Sequence, residues 1–324
     1  MTNKSVTNNS ATDNSATDTS ATGTSATEAA KARCWFIAPL DLLAAGIARL
    51  PQPLLLGLGT ILGILMWPLL GKRRRYARVN LALCFPELDG AQRRRLLREN
   101  VRATATGALE LLRAWYAPAS ALEGLAEVEG LEHLRAATAS GRGVLLFGGH
   151  FTHSELAARL LQQASGQTVH VVVRRNNNRC LEAMFDGARR RAFGGTIAKK
   201  DVRGLLRVLS QGGVVAYSAD QNFTYQNAFV PFFGVAAATL TATPDLARRG
   251  KATVLPFWFH RGDDGRYRLR IEAQWSGWPS GDPAADAARY MSELEQAVRQ
   301  HPEQYLWVHR RFKTRPPGEA GVYR

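Results

Sequence analysis

The chain is short of cysteine and short of acid. Only Cys34, Cys84 and Cys180 occur in 324 residues. Their number is odd and no two form a Cys-x-x-Cys pair, so neither a disulfide framework nor a zinc ribbon is expected. Packing roles for all three, in a reducing, cytosol-facing compartment, fit that count. Acidic residues number 27 against 42 Lys and Arg, giving a net charge of +15. Such a balance points to anionic partners: nucleic acid, lipid headgroups or an acidic carrier protein. The sequence lacks a zinc finger, an RNP motif and a clear helix-turn-helix, so nucleic acid is not expected. It also lacks a basic start followed by an apolar core, which argues against a signal peptide.

What the chain does contain is sharply zoned. Residues 1–31 are a low-complexity tail in which NSATD, NSATD, TSATG and TSATE follow one another. Such a tract cannot bury enough apolar surface to offset chain entropy and reads as disordered. Residues 32–72 form an apolar segment. Within it, Pro53 to Leu70 is an uncharged run of 18 residues, near the minimum for a membrane span. Lys72-Arg73-Arg74-Arg75 follows and would hold that end on the cytoplasmic side. Gly57, Gly59, Gly63 and Pro68 weaken a simple spanning helix, and a helix lying in the membrane interface is the alternative. Further basic clusters at Arg93–Arg95, Arg189–Arg191 and Arg310-Arg311 suit an anionic membrane surface.

The remainder alternates between strand and helix patterns. A helix with three-to-four apolar spacing is predicted over Ala91–Tyr116. Strands are predicted at Gly143–Phe147, Val169–Val173, Gly213–Tyr217 and Ala252–Phe259. Gly262-Asp263-Asp264-Gly265 reads as a hairpin turn into a fifth strand, Tyr267–Ile271. Helices are expected over Ser154–Gln163, Cys180–Phe193, Val202–Leu209, Pro244–Arg249 and Ala284–Arg299. The fold class is α/β: a mixed, mostly parallel sheet flanked by helices, with an N-terminal membrane-associated helical segment. The main domain spans residues 73–316 and a short tail covers 317–324. Ligands in such sheets sit at the carboxyl ends of strands.

One stretch falls at that place. Gly148–Glu155 reads GGHFTHSE. Zinc proteases place His-Glu-x-x-His inside a helix with ligands four apart, whereas His150 and His153 are three apart and the first precedes the helix. Ser154 lacks the flanking glycines of a nucleophile elbow. Thr152-His153-Ser154-Glu155 fits a capping box, which by itself accounts for the carboxylate. That leaves His150 and the two glycines unexplained. His150 and Glu155, five apart, would diverge in a continuous helix. With His150 in the turn, the chain can fold back and pair them. A carboxylate on one ring nitrogen fixes the tautomer and raises the basicity of the other, making a general base for an alcohol. Gly148 and Gly149 would let a substrate approach the backbone closely. On this reading neither metal nor cofactor is required.

His150 and Glu155, as His-x-x-x-x-Glu, resemble the signature of glycerolipid acyltransferases. The wider chain resembles bacterial lipid A biosynthesis acyltransferases of the lauroyl and myristoyl type. The resemblance rests on RRRYARVNLALCFPEL (73–88), VVRRNNNR (172–179), KKDVRGLLRVLSQGGVVAYSAD (199–220), FVPFFG (229–234) and PEQYLWVHRRFKTRP (302–316). It implies transfer of a fatty acyl chain from acyl carrier protein to the 3-hydroxyl of an acyl chain on a Kdo-bearing lipid A precursor. The inner membrane, with the catalytic domain facing the cytoplasm, is the implied location. His150 would be the base and Glu155 its orienting partner. Arg174 would contact substrate, or Arg175 in the alternative register, and Asp220 is an acidic position after the third strand. Phe229, Phe232, Phe233 and Trp258 are candidates for an acyl pocket. The alternative acceptor is another lipid, such as a lysophospholipid or an ornithine lipid.

Overall fold

The computed structural model describes Cys34 and residues 36–323. The predicted disordered tail and Trp35 lie outside the described residues. Four helices come first: α1 (Ile37–Ala48), α2 (Gln52–Met66), α3 (Gly71–Cys84) and α4 (Gly90–Tyr116). The alternating part follows as β1 (Ala126–Glu129), α5 (Leu131–Ala139), β2 (Val144–Gly148), α6 (Ser154–Ser165), β3 (Val169–Val173), α7 (Arg179–Ala192), β4 (Gly195–Ala198), α8 (Val202–Ser210) and β5 (Val214–Ser218). A hairpin, β6 (Asn227–Phe232) and β7 (Val235–Leu240), leads to α9 (Thr243–Arg249), β8 (Thr253–Arg261), β9 (Tyr267–Ile271) and α10 (Pro283–Gln300).

Seven strands form one sheet in the order β1-β9-β8-β2-β5-β3-β4. Only β8 and β9 pair antiparallel, joined by the expected Gly262–Gly265 turn. Central strand β2 is buried at every residue, as a strand covered on both faces must be. This mixed, mostly parallel sheet is the fold class read from the sequence. The strands β1, β4 and the β6–β7 hairpin were not expected. In the hairpin, Phe233 and Gly234 both take positive φ, 53° and 73°, the geometry of a tight two-residue turn. FVPFFG is therefore hairpin and core: Phe232 and Phe233 are buried, and Phe233 packs on Phe85 and Trp307.

The apolar segment is not one rod. No single described helix is long and apolar enough to cross a membrane, and α2 and α3 meet at a bend of 100°. The reason lies in the glycines. A Cβ at Gly59 would come within 2.7 Å of the Thr106 Cα, and one at Gly63 within 2.7 Å of the Arg102 Cα. Small residues thus let α2 lie flat on α4, burying Leu55, Gly59 and Gly63, while Leu54, Leu58, Ile61, Ile64 and Leu65 are exposed. Nine of the twelve exposed large apolar side chains among the described residues fall between Leu40 and Leu69. At its start α2 is tied to the sheet through Gln52. The Gln52 amide donates to Gly265 O at 2.8 Å and to the Tyr267 hydroxyl at 3.1 Å, and that hydroxyl donates to Glu110 at 2.5 Å.

The cysteine expectation is corrected here. Cys34 and Cys180 form a disulfide with a Cα–Cα distance of 5.6 Å, joining the start of α1 to the first turn of α7. Only Cys84 is a packed, buried thiol. An odd count accommodates one bridge plus one thiol. At a sequence separation of 146, the two partners share no local motif that would reveal the pairing.

Candidate active site

Strands β2 and β5 are adjacent and parallel, with Gly148 opposite Ser218. Two residues beyond each strand end lie His150 and Asp220. The register thus carries both side chains to the same point on the carboxyl edge of the sheet. The His150 amide donates to Asp220 Oδ2 at 2.9 Å, and the His150 Nδ1 contacts Asp220 Oδ1. The Tyr305 hydroxyl donates to Asp220 Oδ2 at 2.9 Å. Burial would raise the Asp220 pKa. The charge of His150, its two hydrogen bonds and that from Tyr305 outweigh this and hold the carboxyl well below the usual carboxylate range. An ionised Asp220 on Nδ1 keeps the proton there and leaves the Nε2 lone pair free to accept one. Asp220 is 1% exposed and His150 35%, so the base opens outward from a sealed partner.

Neighbouring elements pin this turn. The Tyr290 hydroxyl of α10 donates to Gly148 O at 2.7 Å and accepts from the Ala219 amide at 3.3 Å. The Leu306 amide donates to His150 O at 3.0 Å, and the Thr152 amide to Gln304 O at 2.8 Å. The segment after α10 thus lies along the site as a strap. Beyond its family resemblance, this segment was expected only to add Arg310-Arg311 to the basic surface; Arg311 is instead buried, donating to Ala238 O at 2.8 Å. Tyr305, Tyr290 and the strap contacts depend on tertiary packing and carry no local signal.

Glu155 is placed elsewhere. It accepts from Arg189 Nε at 3.1 Å and Nη2 at 2.8 Å, and from Trp115 Nε1 at 2.5 Å. The Arg189 guanidinium also stacks over the Trp115 ring at 4.6 Å. The expected pairing of His150 with Glu155 is therefore not formed; Asp220 holds the imidazole. The capping box is not formed either. His153 is the N-cap of α6 and no side chain caps it, because Glu155 is drawn to α4 and α7. Among the described residues a capping box is formed instead at Asp89–Gln92, where Asp89 Oδ1 accepts from the Gln92 amide at 2.8 Å and Gln92 Oε1 from the Asp89 amide at 2.8 Å. His153 is buried between Phe259 and Tyr267 and has no contact with the base.

The remaining candidates divide. Gly148 and Gly149 are buried, and the space beside each is filled. A Cβ at Gly148 would meet Phe257 O at 2.6 Å, and one at Gly149 the Leu294 side chain at 2.4 Å. Their smallness serves packing around the turn rather than the close substrate approach that was expected. Arg174, at the end of β3, is exposed and makes no hydrogen bond or ion pair among the described residues. Burial of Lys199, just after β4, and then the charge of Arg174 lower the Lys199 pKa, against the opposing charge of Asp220. Arg175 instead lines a polar cavity of about 480 Å³ with Asp186, Arg190 and Thr196. Phe229 is exposed, Phe232 and Phe233 are packed in the aromatic core, and Trp258 is buried in the hydrophobic core. Among the described residues no three His, Cys, Asp or Glu side chains converge as a metal would require.

The arrangement is a partly exposed imidazole base with a buried carboxylate behind it, at the carboxyl edge of an α/β sheet. Residues 26–314 match the family model described as bacterial lipid A biosynthesis acyltransferase. The chain belongs to that family. It is 36% identical over 279 residues to the lipid A biosynthesis palmitoleoyltransferase of Escherichia coli (strain K12), covering 85% of this chain and 90% of the relative. The lauroyltransferase of the same organism is 36% identical over 281 residues, 86% of this chain and 91% of the relative. Its myristoyltransferase is 30% identical over 291 residues, 86% and 87%. This lipid A acyltransferase is thus an acyl-transferring enzyme of lipid A biosynthesis.

Proposed function

We propose that the enzyme moves a fatty acyl group from an acyl carrier protein thioester to the 3-hydroxyl of an acyl chain on a Kdo-bearing lipid A precursor. The observation that carries this reading is the free Nε2 of His150, backed by Asp220 on Nδ1. Nε2 takes the proton as the hydroxyl oxygen attacks the thioester carbonyl carbon. The tetrahedral intermediate then breaks its C–S bond, and the leaving thiolate receives that proton from His150. No covalent enzyme intermediate is needed. The net charge of +15 suits both an acidic carrier and the phosphates of the acceptor. The outward apolar face of α1 and α2, followed by the basic start of α3, supports seating on an anionic bilayer. We place that seat at the cytoplasmic face of the inner membrane, where the carrier protein is available.

Purified enzyme supplied with acyl carrier thioester and tetra-acylated precursor is expected to yield a product one acyl chain heavier by mass spectrometry. His150→Ala should lower the rate by about 10²–10⁴-fold with an unchanged melting temperature. Full activity in that variant would remove His150 as the base. A panel of donors of different lengths reads out the preferred chain.

A further inference from the structure

The strap after α10 brings a second imidazole to the same edge of the sheet. His309 lies three residues beyond Leu306, whose amide holds the His150 carbonyl. The Asn222 amide, two residues beyond Asp220, donates to His309 Nε2 at 3.1 Å. Asn222 is itself clamped to the strap: its side chain donates to Thr314 Oγ1 at 2.9 Å and accepts from the Thr314 amide at 2.9 Å. Asn80 fixes the other end, donating to His309 O at 2.7 Å.

A ring nitrogen that accepts from a backbone amide cannot carry a proton, so in the neutral ring the proton is on Nδ1. The ring stays neutral: burial first, then the charge of His150, lowers its pKa to about 4, against the opposing charge of Asp220. Among the described residues, His309 Nδ1 has no hydrogen-bond partner. An uncharged N–H donor therefore stands at the same edge of the sheet as the base, without an acceptor among the described residues.

The reaction needs such a donor, and the backbone near His150 supplies few. The His150 amide is committed to Asp220. The Phe151, Thr152 and Ser154 amides are committed to the carbonyls of Gly149, Gln304 and Phe151. We infer that His309 Nδ1–H is an oxyanion donor of the acyl transfer, hydrogen-bonding the carbonyl oxygen of the acyl donor as it takes up negative charge. This rests on the thioester reading above. When the acceptor oxygen bonds to the carbonyl carbon, the C=O π electron pair moves onto the carbonyl oxygen, which lies against Nδ1–H. When the C–S bond breaks the pair returns and the hydrogen bond weakens. His309 keeps its proton throughout; only His150 exchanges one.

Two near-isosteres separate this role from a structural one. Gln places its amide near the Nε2 position and can still accept from the Asn222 amide, but has no donor at Nδ1. Asn places a donor near Nδ1 and loses the bond to Asn222. An oxyanion role predicts that His309→Gln lowers kcat by about 10²–10³-fold with KM for both substrates little changed, and that His309→Asn retains more activity than Gln. Melting temperatures show whether each variant is folded. A merely structural His309 predicts the reverse order, Gln active and Asn impaired, and that result would overturn the inference. So would unchanged kcat in both. No turnover by the wild type on the carrier thioester would instead overturn the donor reading, whereas wild-type turnover with an active Gln variant overturns only the assignment of His309.

Discussion

Glu155 is five residues from His150 in the chain, and Asp220 is seventy. The distant carboxylate holds the imidazole; the near one is held by Arg189 and Trp115. The difference follows from what each is built on. Asp220 leaves the end of a strand paired in register with the strand that leads to His150, so the sheet's own hydrogen bonds set their separation. Glu155 sits in the first turn of α6 and takes the direction of that helix, toward α4 and α7. There it complements the positive end of the helix and joins three helices. The lesson concerns short motifs: residues close in sequence can flank a site from different elements and act through different partners.

The largest effect that would break this comparison is at Asp220. Asn in its place can present its amide N–H to Nδ1, which moves the imidazole proton to Nε2 and removes the base. Asp220→Asn is expected to lower kcat by about 10²–10⁴-fold, measured beside its melting temperature. Activity close to wild type would show that the carboxylate does not set the tautomer. Next in size is the Glu155–Arg189 pair, whose side chains are 21% and 12% exposed. Removing either partner strands a largely desolvated charge, so Glu155→Ala and Arg189→Ala should each destabilise by about 2–4 kcal/mol. The double variant should cost less than the sum of the two, a coupling that denaturant unfolding would detect. The kcat loss in Glu155→Gln should be smaller than in Asp220→Asn. An equal loss with stability unchanged would return the orienting role, or a direct substrate contact, to Glu155.

Much of the fold was legible because parallel strands and amphipathic helices write their periods into the sequence. β3 and β9 match the expected ranges to the residue, and α4, α6 and α10 to within two residues at each end. The missed strands β1 and β4 are four-residue edge strands, too short to show a period. The Phe233-Gly234 turn was hidden because a phenylalanine at positive φ is not a sequence signal for one. His150 was legible as the residue between a buried strand and a helix start. Its partner was not, since which strands lie side by side is a property of the sheet order. Asp220 was nevertheless singled out, and the strand register shows why it mattered. The function of the strap was illegible for the same reason: Tyr305 and His309 gain meaning only when the segment folds back over β2 and β5.

The smallest expected effect concerns the other histidine of GGHFTHSE. His153 is 2% exposed and its Nε2 has no partner. Burial lowers its pKa from 6.5 to about 4, with the charge of Glu110 opposing and those of Arg261, His260 and His301 adding. Because the folded pKa lies below the unfolded one, the unfolded chain takes up a proton between pH 6.5 and 4 that the folded chain refuses. Stability is therefore lost as pH falls through that window and is unaffected above it. From pH 7 to pH 5 the His153 contribution amounts to about 2 kcal/mol. His260 and His309, both also lowered to about 4, add to the same slope. Denaturant unfolding of His153→Phe at the two pH values should show a loss on acidification smaller by about one proton's worth, with kcat at pH 7 little changed. An unaltered pH slope would mean that His153 is protonated in the folded chain. A collapse of kcat at pH 7 would mean that it reaches the chemistry after all, and that the two histidines of the motif are not as separate as the packing around Phe259 and Tyr267 makes them.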